Sequence, residues 1–128
     1  MLVVYDSLTG NVERFTRNLN MRRVRISKGL LVEEPYVLVT YTIGFGEVPV
    51  SVSEFLMSNA AYIRGVAASG NKVWGSNFGK AGERISEEYC VPLLLKFELG
   101  GTKKDTEFFK EEVATLYERA DSQMAEVK

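Results

Sequence analysis

Apolar positions follow two rhythms along this chain, short unbroken runs and stripes that repeat every three or four residues, and the two alternate from end to end. Leu2–Tyr5 is an unbroken run and reads as a central strand, as do residues 36–42 (YVLVTYT), 65–69 (GVAAS) and 92–99 (PLLLKFEL). In RRVRIS the run becomes an alternation, with Val24 and Ile26 on one side and Arg23 and Arg25 on the other. That pattern predicts a half-exposed edge strand guarded by charge, with Arg22, Arg23, Arg25 and Lys28 as a solvated border. Four stripes predict helices: Val12, Phe15 and Leu19 over residues 11–19; Val52, Phe55, Leu56 and Ile63 after Pro49; Phe78, Ala81, Ile85 and Tyr89; and Phe109, Val113, Leu116, Tyr117 and Ala120. Thr102 is the expected N-cap of the last helix, with Asp105 at the capping-box position.

Strand and helix in alternation predict the α/β class: an open parallel sheet with helices on both faces. Residues 1–120 read as one domain and residues 121–128 as a frayed tail. One connection is short. Only residues 28–35 separate the edge strand from the next strand, so either the edge strand is very short or a loop replaces the crossover helix.

Composition narrows the chemistry. The 128 residues are 45% hydrophobic, enough to bury one core without staples. A net charge of −1 gives no reason to expect nucleic acid or a membrane surface as partner. No apolar run approaches the roughly 20 residues of a membrane span. MLVVYD carries no basic leader, and Cys90, the single cysteine, suits a reducing cytoplasm; it reads as a small buried hydrophobe. There is no histidine, which removes Ser-His-Asp and Cys-His catalysis together with the commonest metal ligand, and no metal site is expected. Demanding chemistry would have to come from a bound cofactor. With charge on the edge strand and no heptad pattern, a monomer is the default.

The glycines point to where a cofactor would lie. SLTGN, TIGFGE, SGNKVWGSNFG and GGT each follow the carboxyl end of a predicted strand, and they hold eight of the eleven glycines. In an open parallel sheet these loops share one edge, the edge at which ligands bind. Phe45, Trp74 and Phe78 lie in the same loops and offer cover for a flat ring. In the first loop the helix that starts near Asn11 directs unpaired N–H groups at one spot, and Ser7, Thr9 and Asn11 add side-chain donors. Such a nest holds a phosphate without a cation. Neither G-x-x-x-x-G-K-[ST] nor G-x-G-x-x-G occurs, so a nucleoside triphosphate and a dinucleotide are disfavoured. A phosphomonoester with an attached ring, flavin mononucleotide (FMN), is the natural ligand. A receiver domain would need a phosphoacceptor aspartate where Thr40, Tyr41 and Thr42 stand.

DSLTGNV resembles the phosphate loop of flavodoxins, and VTYTIGFGEVP, ASGNKVWGSNFG and VPLLLKFELGGT together resemble the NrdI family, small flavodoxin-like proteins of class Ib ribonucleotide reductase systems. The resemblance runs from Leu2 to about Tyr117. It implies a flavodoxin-like five-stranded sheet of order 2-1-3-4-5 and non-covalent FMN. Ser7, Leu8, Thr9, Gly10, Asn11 and Val12 would hold the phosphate. Thr42, Ile43, Gly44, Phe45 and Gly46 would line the isoalloxazine, with Trp74, Gly75, Asn77, Phe78 and Gly79. Leu99, Gly100 and Gly101 would close its dimethylbenzene or its pyrimidine side. Gly44 is the residue expected to act in the chemistry, because a glycine peptide flips at little steric cost and its carbonyl can then meet a proton on flavin N5.

The function the resemblance implies is that of a cytoplasmic accessory redox flavoprotein. Once reduced by an unidentified flavin or flavodoxin reductase, it would convert oxygen to superoxide. The superoxide would serve assembly of the dimanganese–tyrosyl radical cofactor in the reductase's small subunit. A general flavodoxin-type electron carrier and a non-redox module for phosphorylated ligands are the alternatives.

Overall fold

The unbroken apolar runs are buried on both faces, and that is why they read as runs. In the computed structural model, which describes residues 1–127 and the side chains of residues 1–119, β1 (Leu2–Tyr5), β2 (Arg23–Arg25), β3 (Tyr36–Thr40), β4 (Ile63–Gly70) and β5 (Leu93–Glu98) form one sheet. Its order is β2-β1-β3-β4-β5 and every pairing is parallel. The helices are α1 (Asn11–Asn18), α2 (Val50–Asn59), α3 (Lys80–Tyr89) and α4 (Lys103–Val127).

Strand side chains alternate between two cores. Val3 and Tyr5 of β1 and Val37 and Val39 of β3 face α1 and α4, packing with Val12, Phe15, Phe97 and Phe109. Leu2, Val4, Tyr36 and Leu38 face the other way, against Val52, Phe55, Leu56 and Ile85 of α2 and α3. The first core centres on Phe15, stacked on Phe97 with centroids 3.9 Å apart and meeting Phe109 edge-on at 5.6 Å. Close approach of α3 to β4 needs Gly82: a Cβ there would come within 2.8 Å of the Ala68 Cβ.

The predicted strands and helices are present; β3 stops at Thr40 rather than at residue 42, β5 spans Leu93–Glu98, and three further shifts change an element. Ile63 opens β4 rather than continuing α2, and a turn at Ala60–Tyr62 separates them. Phe78 precedes α3 instead of lying on it. The final helix begins with the expected capping box, Asp105 N–H donating to Thr102 Oγ1 at 3.2 Å and Thr102 N–H to Asp105 Oδ2 at 2.7 Å; it runs to Val127, past the end of the apolar stripe.

Both solutions to the short connection are used. The edge strand has three residues, and a loop without a helix leads from it to β3. Val32 of that loop is buried in the α2 core. Arg22, Arg25 and Lys28 of this edge are exposed, as a charged border should be, and the arginines are also paired. Arg23 stacks over the Tyr5 ring at 5.4 Å, Arg22 pairs with Glu34, and Arg25 pairs with Asp6 and Glu13. Cys90 is exposed rather than buried; it closes α3 in a left-handed conformation (φ 55°) and its N–H donates to Ser86 O. No helix among the described residues is long and apolar enough to cross a membrane.

Candidate functional site

Strand β1 pairs with both β2 and β3, so the chain order reverses beside it, and loops from the two sides diverge at its carboxyl end. A cleft of about 440 Å³ opens there. Ser7 forms one wall. It is buried, and its Oγ accepts the N–H groups of Gly10 and Glu13, each at 3.2 Å, so this serine caps α1 from a distance while Gly10 makes the turn at φ 90°. Thr9 Oγ1 accepts from Asn11 Nδ2 at 3.3 Å, and Asn11 Oδ1 accepts from Arg14 Nη2 at 3.0 Å. The N–H groups of Leu8, Thr9, Asn11 and Val12 then donate to no protein acceptor among the described residues. They form a nest of free donors at the positive end of α1.

The other loops are tied to each other through hydroxyls. Buried Thr42 donates to Ser69 O at 3.0 Å, and Ser69 donates to Leu99 O at 2.6 Å. One relay thus links the ends of β3, β4 and β5. Beyond Thr42 the chain makes a tight hairpin, with Glu47 N–H bonded to Ile43 O at 2.8 Å and Ile43 N–H to Glu47 O at 3.1 Å. Trp74 stands on the facing loop, 44% exposed, beside exposed Leu8 and Leu99.

Ten of the expected residues line the cleft together: Ser7, Leu8, Thr9, Asn11, Val12, Thr42, Ile43, Gly44, Trp74 and Leu99. The rest sit on the same rim but outside its lining. Gly10 is the turn beneath the nest, and Phe45 projects outward, 81% exposed. Gly46 packs on the Lys80 stem and Gly79 on that of Lys96, whose ammonium lies 5.7 Å from the Phe78 ring. Gly75 kinks the turn that contains Asn77, while Gly100 faces Arg14 and Gly101 the Phe15 ring.

Tyr41, Ser69, Gly70 and Asn71 also line the cleft; the last three open the SGNKVWGSNFG loop expected at this edge, but none of the four is among the named cofactor contacts. Asn71 is legible afterwards, because its Oδ1 caps the following turn at Val73 N–H. Ser69 had no local signal; its bonds span 27 and 30 residues. The nest is also less isolated from positive charge than its composition suggests. Arg25 Nη2 donates to Ser7 O at 2.6 Å.

A family model described as NrdI flavodoxin-like matches residues 3–111. The protein NrdI of Bacillus licheniformis is 50% identical to this chain over 127 residues, 98% of this chain and 97% of that protein. Among solved structures, a short-chain flavodoxin associated with a non-canonical PDU bacterial microcompartment superposes with a TM-score of 0.73 at 22% identity, covering 93% of this chain and 97% of its own. A Fusobacterium nucleatum flavodoxin bound to FMN gives 0.61 at 13% identity, covering 92% and 96%. At these identities the two structures speak to the fold.

Proposed function

The chain belongs to the NrdI flavodoxin-like family, and from that premise we propose that it binds FMN in the cleft beside β1 and, once reduced, activates oxygen for a class Ib ribonucleotide reductase. The small subunit with its dimanganese site is the partner on this reading, and superoxide is what passes to it for assembly of the tyrosyl radical cofactor. A flavin or flavodoxin reductase supplies the electrons, and the setting is the cytoplasm. Residues 1–120 act as one domain, because both cores share one sheet.

The observation that carries the reading is the pairing of two unlike walls in one cleft. At one wall stand four free N–H donors and the Ser7 hydroxyl, whose oxygen already accepts two bonds and whose proton is left to donate. This donor set suits a phosphate: neutral, directional and backed by a helix end. At the other wall stand Trp74, Ile43 and Leu99, suited to a flat apolar ring. Flavin bound there would supply the electron transfer that a chain without histidine and with one exposed cysteine lacks.

Each rim residue then has a task. Ser7, Leu8, Thr9, Asn11 and Val12 hold the phosphate, with Gly10 shaping their turn. Thr42 and Ser69 fix the three ring-side loops against one another, so the ring meets a wall already formed. Gly44 and Phe45, on the exposed hairpin, leave one edge open to oxygen and to a docked partner.

Anaerobically reduced protein should be mixed with a manganese-loaded class Ib small subunit and then with oxygen, and tyrosyl radical followed by electron paramagnetic resonance. Radical that depends on FMN, on prior reduction and on this chain supports the proposal. A yellow protein that passes electrons to other acceptors but yields no radical would instead be a general electron carrier. A colourless protein that takes up no FMN would overturn the reading at its root.

A further inference from the structure

Arg25 reaches the first rim loop from the edge strand. It stands opposite Tyr5 in the β1–β2 register, so its side chain projects alongside the residues that follow β1. Its Nη2 donates to the Ser7 carbonyl at 2.6 Å, its Nε lies 3.5 Å from Asp6 Oδ1, and its Nη1 lies 3.7 Å from Glu13 Oε2. Asp6 completes the clamp: Oδ1 accepts the Ser7 N–H at 2.8 Å and Oδ2 accepts the Ser51 hydroxyl at 2.5 Å. The peptide groups on both sides of Ser7 are therefore held by side chains, one from the edge strand and one from the residue that opens the loop.

We propose that Arg25 is a positioning residue that makes this loop select a phosphorylated flavin over an unphosphorylated one. The inference rests on the reading that the loop holds the FMN phosphate. Two physical effects support it. A trans peptide carries its C=O and N–H on opposite sides, so tying the Ser7 carbonyl to Arg25 turns the Leu8 N–H away from the edge strand. The carbonyl dipole, which would repel an anion, is kept on the arginine side. The second effect is charge. Asp6 and Glu13 stand close to the loop, and unpaired they would oppose a phosphate dianion. Arg25 lies within 4 Å of both, and Arg17 and Arg23 also flank Glu13, at 3.5 and 4.0 Å. The arginines thus offset the carboxylates under the nest without entering it.

Apo-protein should be titrated with FMN and with riboflavin, following flavin fluorescence, for the wild type, Arg25→Met and Arg25→Lys. The methionine keeps the apolar stem of the side chain without charge or donors; the lysine keeps the charge without the planar fork. For Arg25→Met, FMN affinity should fall by about tenfold or more, the scale of a charge-assisted hydrogen bond, with riboflavin affinity changed less than about twofold. Arg25→Lys should lie between, and the gap between FMN and riboflavin should narrow with added salt for the wild type more than for Arg25→Met. Circular dichroism melts select the variants that are folded, and the lysine variant keeps the test open if the methionine one is not. Parallel losses for both flavins, or no loss for either, would overturn the selectivity role while leaving FMN binding intact. A wild type that binds neither flavin would remove the flavin reading and this inference with it.

Discussion

Asn59 closes a bond with Val32 across 27 residues: its Oδ1 accepts the Val32 N–H at 2.7 Å, and the same side chain donates through Nδ2 to Leu30 O at 3.0 Å and to Phe55 O at 2.9 Å. The loop between β2 and β3 has no helix to satisfy its backbone, and one buried amide at the end of α2 does that work instead. Asn59→Leu, close in size but unable to bond, strands a buried N–H and carbonyl groups. It should cost about 3 kcal/mol in urea unfolding. A loss below about 1 kcal/mol would mean that the loop finds other partners.

The backbone carbonyl of Asn59 is also held, by the Tyr36 hydroxyl at 2.7 Å. Burial raises the Tyr36 phenol well above the usual tyrosine range, with Tyr89 adding to the rise and Arg64 opposing it. The native chain therefore keeps a proton that the unfolded chain loses near pH 10. Stability from this group is fully present below about pH 10 and falls above it, by about 1.4 kcal/mol per pH unit, until the folded-state value is reached. Tyr89 is raised as well, chiefly by burial and then by Glu88, and acts in the same direction. Urea melts on either side of pH 10 should therefore show a steeper decline for the wild type than for Tyr36→Phe. Equal slopes would count against the shift.

Adjacent glycines at the end of β5 should behave differently. A Cβ on Gly101 would lie 2.8 Å from Phe15 Cδ1 in the stacked core, and φ there is 73°. At Gly100 it would meet only the end of the Arg14 side chain, which is exposed and can shift at the cost of its one bond to Asn11 Oδ1. Gly101→Ala should lose about 2–4 kcal/mol from the left-handed backbone and the overpacked ring. Gly100→Ala should stay within about 0.5 kcal/mol. Neither glycine lines the cleft, so FMN affinity of the folded fraction should be nearly unchanged in both. Thermal melts and flavin titrations separate the two effects.

Where the sequence was legible, the signal was local. Tyr36–Thr40 reads as a central strand because both of its faces are buried, and Thr102 with Asp105 reads as a cap because the bonds span three residues. Where it was opaque, the partner was distant or the residue sat at a junction. Ile63 falls in phase with the α2 stripe, yet the turn at Ala60–Tyr62 has already ended the helix. The alternation of Arg23 and Arg25 with Val24 marks an edge strand correctly but conceals Asp6 and Glu13, the carboxylates with which the two arginines pair. Ten of the fourteen residues that line the cleft were visible in the same way. Glycines announce backbone turns, but Gly46, Gly79 and Gly101 serve close packing outside the cleft lining, and Ser69 gives no sign of the relay it completes.

Gly44 separates binding from redox tuning. It stands at φ 54° in the hairpin Ile43–Glu47, whose closing bonds run from Glu47 N–H and Gly46 N–H to Ile43 O and from Ile43 N–H to Glu47 O. None of the three uses the Gly44 carbonyl, so the peptide between Gly44 and Phe45 can turn over without breaking the hairpin. The turn also carries the φ of Phe45, which lies outside the left-handed region, toward it, so the flipped state bears a backbone cost at Phe45, while its exposed ring adds no packing cost. A Cβ at Gly44 would meet the Glu47 carboxylate, which is also exposed and can swing away; the lasting penalty is the left-handed backbone, about 1–2 kcal/mol for alanine. That penalty falls unequally on the two orientations of the peptide. If the carbonyl turns toward flavin N5 when a proton arrives there, Gly44→Ala changes the balance between oxidation states rather than the hold on the phosphate. Spectroelectrochemical titration should show the gap between the two one-electron potentials shifted by about 60 mV, the equivalent of a tenfold change for one electron. FMN affinity in the oxidised state should change by less than about threefold, because no phosphate donor is touched. A gap equal to that of the wild type, in a variant that still binds FMN, would show that the hairpin is only a wall.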